Sequence, residues 1–184
     1  MVTIETVSAQ EANLISFDPL SLSQLQMVVA ELVANMCQYR PEFSRLLSLQ
    51  RNAGTRVNEL FQPERWEIQN DRVVHVQPQK KNALRVLNFA DIGIQDAEEF
   101  QIVAADMRRL PKRQYERAFS KEVESLGLWR EYVNGFTHPS THLLRHLRIK
   151  ELAADGASIE YIGTWIGEKN LDNLQYYLSS RFFQ

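Results

Sequence analysis

A chain of 184 residues, 44% hydrophobic and 24% charged, has the balance of one soluble globular domain with a packed core, which excludes global disorder. No apolar run approaches the roughly 18 residues that span a bilayer, the start Met1-Val2-Thr3-Ile4-Glu5 is not a secretory leader, and a single cysteine, Cys37, excludes an internal disulfide. The net charge of −2 does not advertise nucleic-acid binding by itself.

In chain order, residues 1–19 read as an N-terminal arm or linker ending in Asp18-Pro19. Ser21 or Ser23 caps a helix through Leu25, Val28, Val29, Leu32, Val33 and Met36, whose apolar residues recur three and four apart. Cys37 in this run reads as core filling, and its lone occurrence suits a reducing, cytoplasmic compartment. Pro41 opens a second helix with Phe43, Leu46, Leu47 and Leu49, broken by Gly54, and a short helical stretch carries Val57, Leu60 and Phe61. From Trp66 the period changes: Trp66–Gln69, Val73–Val76 and Leu84–Phe89 are β-branched or aromatic runs separated by turn-like segments. Helices are predicted again over 95–108 and 111–126, the latter with Pro111 in its first turn. Gly127 and Gly135 bracket a loop; Ser140 or Thr141 then caps a helix to about Asp155, Ser158 starts another to Gly167, and a last one covers about Leu171 to Ser180. The predicted fold is α+β: a mostly helical single domain, 20–184, with a small three-stranded antiparallel sheet.

Charge is distributed unevenly. Arg108, Arg109, Lys112, Arg113 and Arg117 form one basic cluster, and Arg145, His146, Arg148 and Lys150 a second. Both read as solvated faces that permit DNA binding without requiring it.

Three segments carry chemistry. Arg56 follows the break at Gly54, where the chain can turn sharply and aim a side chain into a cleft. His142 and Arg145, three apart on one helix, share a face; a guanidinium fork matches two phosphate oxygens, and an imidazole moves protons near neutral pH. His142 and His146 have a metal-ligand spacing, but Arg145 lies between them and would repel a cation, so no metal is expected. Ile166-Gly167-Glu168 precedes Tyr176-Tyr177; adjacent helical residues differ by about 100°, so one tyrosine faces such a cleft.

Taken in order, Gly54-Thr55-Arg56-x-x-Glu59-Leu60, His142-Leu143-Leu144-Arg145-His146, Ile166-Gly167 and a tyrosine ten residues after that glycine resemble the signature of the tyrosine recombinases (phage-integrase family), from about Leu20 to Tyr177. In that family a lysine lies on the hairpin between the second and third strands, where this chain has Lys80 and Lys81, followed by Arg85 leading the next strand. The resemblance implies the catalytic domain of a site-specific recombinase that cuts and rejoins double-stranded DNA through a 3′-phosphotyrosine. Arg56 and Arg145 would clamp the phosphate, Tyr177 would attack, His142 would act as base, and Lys80 or Lys81 as acid. Neither a cofactor nor a metal is implied. It further implies a prokaryotic, viral or mobile-element origin, and homo-oligomers on DNA, with Phe182-Phe183 docking into a neighbouring protomer or packing on their own core.

Two features depart from the family. After Ile166-Gly167 the family has histidine, tryptophan or lysine donating to the scissile phosphate, and this chain has Glu168. A carboxylate there repels phosphate unless protonated or turned away, so Lys169 is expected to supply the contact, or Glu168 to organise a basic neighbour. The family's separate core-binding domain is also not seen in this sequence. The alternative is a degenerate domain that holds DNA or a partner recombinase without cutting.

Overall fold

The computed structural model describes residues 21–70, 73–76, 85–126 and 141–179; for 73–76 and for Tyr176, Tyr177 and Ser179 it describes the backbone alone. The expected arm 1–19, Lys80, Lys81, the loop with Gly127 and Gly135, and Phe182-Phe183 lie outside the described residues.

Helix α1 (Leu22–Tyr39) starts in a reciprocal capping box: the Ser21 hydroxyl accepts from the Gln24 N–H at 3.2 Å, and Gln24 Oε1 accepts from the Ser21 N–H at 2.8 Å. Its inner stripe is Leu25, Val29, Leu32 and Met36, while Cys37 is only half-buried, off that stripe, rather than core filling. Pro41–Phe43 form a single 3₁₀ turn, and helix α2 (Ser44–Ala53) starts after it rather than at Pro41. Helix α3 (Val57–Leu60) is one turn.

The strands β1 (Trp66–Gln69), β2 (Val73–Val76) and β3 (Arg85–Asn88) make one antiparallel sheet in sequence order. The register pairs Trp66 with Val76 and Val76 with Arg85. Helix α4 (Ala97–Arg109) is capped by the Asp96 carboxylate, with Glu98 and Glu99 in its first turn and Arg108 and Arg109 in its last, each sign at the favourable end of the helix dipole. Helix α5 (Lys112–Ser125) follows Pro111.

Helix α6 (His142–Ala154) is the axle of the fold. Leu143, Leu144, Arg145, His146, Leu147, Ile149, Lys150 and Leu152 are all buried, and α1, α2, helix α7 (Ile159–Ile166) and helix α8 (Leu171–Ser179) pack around it. The second basic cluster is therefore largely interior rather than a solvated face, because a helix enclosed on all sides has no wet side to offer. Thr141 sits at its N-cap position, yet its side chain makes no capping bond. Aromatic contacts fill two further regions, Phe43 and Phe61 against Tyr115, and Trp66 and Phe89 against Phe100.

Two glycines with left-handed backbones allow a direct test of packing. Gly54 (φ 66°) ends α2, and a Cβ there would meet Arg148 Cβ at 3.1 Å; Gly156 (φ 86°) has nothing within 4 Å. Backbone strain of about 1–2 kcal/mol is expected for alanine at either position. Gly54→Ala should therefore lower the thermal midpoint by several degrees, and by more than Gly156→Ala; differential scanning calorimetry of the two variants checks this.

Candidate functional site

Helices α2 and α7 end side by side, each in a left-handed glycine, Gly54 and Gly167. The last carbonyls of a helix lack intrahelical donors, and here side chains from other elements supply them. Arg145, 1% exposed, donates from Nη1 to Gly54 O at 2.9 Å and from Nη2 to Ile166 O at 3.1 Å. Arg85, fully buried, donates from Nη1 to Trp165 O at 3.1 Å, and the Trp165 indole N–H donates to Ala53 O at 3.2 Å. Gln50 donates to Thr55 O at 3.3 Å and accepts from the Tyr115 hydroxyl at 2.7 Å. The guanidinium of Arg148 lies over the Trp165 ring, 4.7 Å from its centroid.

This framework presents Arg56. Its backbone N–H donates to Glu59 Oε2 at 2.9 Å as α3 begins, and its side chain is 28% exposed. Glu59 is wholly buried between two cations: Oε1 lies 3.6 Å from Arg56 Nη1 and Oε2 lies 3.7 Å from Arg85 Nη2. On its other edge, Arg56 Nη2 lies 3.5 Å from Glu168 Oε2, and Glu168 Oε1 accepts from the Asn170 N–H at 3.1 Å. The carboxylate flagged in the sequence is therefore turned onto Arg56. Lys169, expected to replace the missing donor, is exposed.

Arg56 and Arg85 thus flank Glu59, Arg56 also faces Glu168, and Arg145 and Arg148 add two further guanidinium groups to the same framework, an excess of positive charge suited to an anion. The histidines do not add to it. Burial first, then the charges of Arg145 and Arg56, push His142 down to about 4. Burial, then His142 and Arg145, push His146 down to about 3. The two rings meet edge to face at 5.0 Å between centroids. Burial lowers Arg85 to about 10, which leaves it charged at neutral pH.

The sequence-predicted residues Arg56, Glu59, His142, Arg145 and Glu168 thus belong to one cluster. Tyr176 and Tyr177 lie on α8, which packs against α6 and α7, and their side chains are outside the described residues, as are Lys80 and Lys81. Sequence reasoning gave no role to Arg85, Gln50 or Trp165. A signal existed for Arg85: it shares the inward parity of β3 with buried Leu87 while Val86 points out, and a charge at an inward position requires a partner. Among the described residues, no group of three or more histidine, cysteine or acidic side chains is arranged to hold a metal, and no helix is long and apolar enough to cross a membrane.

This architecture is that of the tyrosine-recombinase catalytic domain. Three solved structures illustrate the likeness. A lambda integrase dimer bound to a COC′ core site is matched over 91% of this chain and 49% of that one, with a TM-score of 0.63 and 18% identity. The XerH site-specific recombinase, in a pre-cleavage complex with its difH substrate, is matched over 89% and 51%, at 0.58 and 13%. XerA recombinase is matched over 83% and 58%, at 0.54 and 15%. The chain spans about half the length of these proteins. No family model and no curated protein matches the sequence.

Two predictions follow from the buried charges. Glu59→Ala removes the carboxylate beside buried Arg85 and should destabilise the fold by about 3–5 kcal/mol, the usual consequence of orphaning one member of a buried pair; urea unfolding measures it. The histidines predict an acid dependence. Both have folded-state values below the ordinary 6.5, so the unfolded chain binds more protons in this range. Their contribution is complete above pH 6.5 and is lost as pH falls toward 4 for His142 and 3 for His146. A His142→Gln/His146→Gln variant should show a flatter decline in unfolding free energy between pH 6.5 and 4 than the parent.

Proposed function

We propose that this chain is the catalytic domain of a DNA strand-transferase of the tyrosine-recombinase type, which cleaves and rejoins double-stranded DNA through a 3′-phosphotyrosine. The observation that carries the reading is the clustering of Arg56 with His142 and Arg145, from two separate parts of the chain, at the paired ends of α2 and α7. The fold shared with XerH, lambda integrase and XerA supports it.

In this reading Arg56 contacts a non-bridging oxygen of the scissile phosphate, and Arg145 holds the floor beneath it while its charge stabilises the transition state. The Tyr177 oxygen attacks phosphorus, a P–O bond forms, and the 5′-oxygen departs with a proton from Lys80 or Lys81. Tyr176 is the neighbouring candidate for the same nucleophilic role. His142 takes the phenolic proton. An imidazole near 4 is a weak base; burial is the largest cause, and the lesser part comes from two cations, Arg145 and Arg56, that an arriving phosphate would neutralise. Binding of substrate therefore raises its basicity when it is needed. Resealing reverses these steps, so bond energy is conserved in the covalent link. Double-stranded DNA and further copies of the chain, assembled through the C-terminal segment, are the proposed partners, in the cytoplasm.

A second reading, a recombinase-like domain that holds DNA or a partner recombinase without cutting, is favoured by one observation: Glu168 faces Arg56 where a donor to phosphate is usual in the family. A nicked suicide DNA substrate separates the two. The strand-transferase gives a covalent protein–DNA band on a denaturing gel that Tyr177→Phe abolishes, and Arg56→Ala slows its formation by about 10²–10³. Lys169→Ala should slow it as well if that side chain supplies the missing contact. Absence of the band with DNA still retained in a mobility-shift assay establishes the binder.

A further inference from the structure

Among the described residues the ion pairs differ in geometry. Arg51 grips Glu151 with two bonds of 2.6 and 2.9 Å, and Arg45 grips Asp106 at 2.7 and 3.2 Å, the short forked geometry of committed structural pairs. The pair between Arg56 and Glu168 is different. It is a single approach of 3.5 Å, and both side chains keep some exposure, 28% and 12%. Arg56 does not need Glu168 for its placement, because its backbone is held by Glu59, which also neutralises its inner edge.

Glu168, by contrast, is firmly placed. Its N–H donates to Gly163 O at 2.9 Å just beyond the left-handed Gly167. Gly163 admits this approach because it has no Cβ; one would meet Glu168 O at 2.9 Å. The Asn170 N–H holds Oε1, leaving Oε2 facing the outer edge of Arg56. A fixed carboxylate thus meets a reachable guanidinium through a long, easily exchanged contact.

Resting on the strand-transferase reading, we propose that Glu168 is a built-in anion that occupies Arg56 and must be displaced by the incoming phosphodiester. It makes the site selective. A free inorganic anion has to compete with an anchored carboxylate and meets its repulsion at the same time. A phosphodiester within a bound duplex is held by many other contacts and displaces it, so Arg56 turns to phosphate only when DNA is in place. The residue is a specificity determinant rather than a catalytic residue: it makes Arg56 unavailable until the correct anion arrives.

The test is titration with inorganic sulfate, a phosphate-like dianion that cannot react, followed by NMR of the His142 imidazole and the arginine Nε–H groups. Glu168→Gln keeps the shape and removes the charge, and should tighten sulfate binding by about tenfold, which corresponds to about 1.4 kcal/mol of relieved competition and repulsion. Adding Arg56→Ala to Glu168→Gln should abolish the gain. Glu168→Ser serves as a second variant, and circular dichroism with the thermal midpoint confirms that each is folded. Unchanged or weaker sulfate affinity in the folded variants overturns the proposal. Sulfate binding requires neither DNA nor Tyr177. A tenfold gain without a covalent DNA adduct would therefore defeat the cleavage reading alone, and an adduct without the gain would defeat this inference alone.

Discussion

Two helices, α2 and α7, point their negative ends at the same spot in the interior, and Arg145 is driven between them. Its guanidinium bridges Gly54 O and Ile166 O, so it joins the break before Arg56 to the break before Glu168. Helix C-termini carry a partial negative charge, which stabilises a buried cation placed there. Arg85 does the same one residue further back on α7, at Trp165 O, with Glu59 as its carboxylate. An arginine suits this task better than a lysine, because its planar fork reaches two carbonyls in fixed directions.

This stapling has chemical consequences. Two guanidinium groups, Arg85 and Arg145, are buried and a third, Arg56, stays partly exposed, without large net charge on the chain. Charges in such a low-dielectric interior act more strongly on their neighbours than they would in water. Burial first, and then the neighbouring charges, keep His142 and His146 neutral at ordinary pH. Glu59 and Glu168 then divide the labour on Arg56. The buried one holds its inner edge and the partly exposed one faces its outer edge. The overall charge of −2 and the local excess of positive charge are therefore compatible.

Much of this was legible in the linear pattern. The apolar recurrence of Leu25, Val29, Leu32 and Met36, a serine cap at Ser21 or Ser23, the change of period at Trp66 and the breaks at Gly54 and Gly167 mark helices and strands because they follow from local backbone preference. The spacing of His142 and Arg145 put both on one face of a helix for the same reason. These features depend on neighbours a few residues away, and the order of residues states them directly.

What only the three-dimensional arrangement decided is which charges are inside. Arg145, His146 and Lys150 read as a solvated basic face, and they are buried because α6 is surrounded by four helices, a fact that no window of the sequence contains. Glu168 looked like a misplaced charge until its partner, 112 positions earlier in the chain, came within 3.5 Å. Arg85 gained its role from the carbonyl of Trp165, which lies 80 positions away. Local sequence specifies backbone conformation through short-range sterics and hydrogen bonding. The burial of a charge is set by the sum of distant elements packed around it, and that sum exists only once the chain has folded.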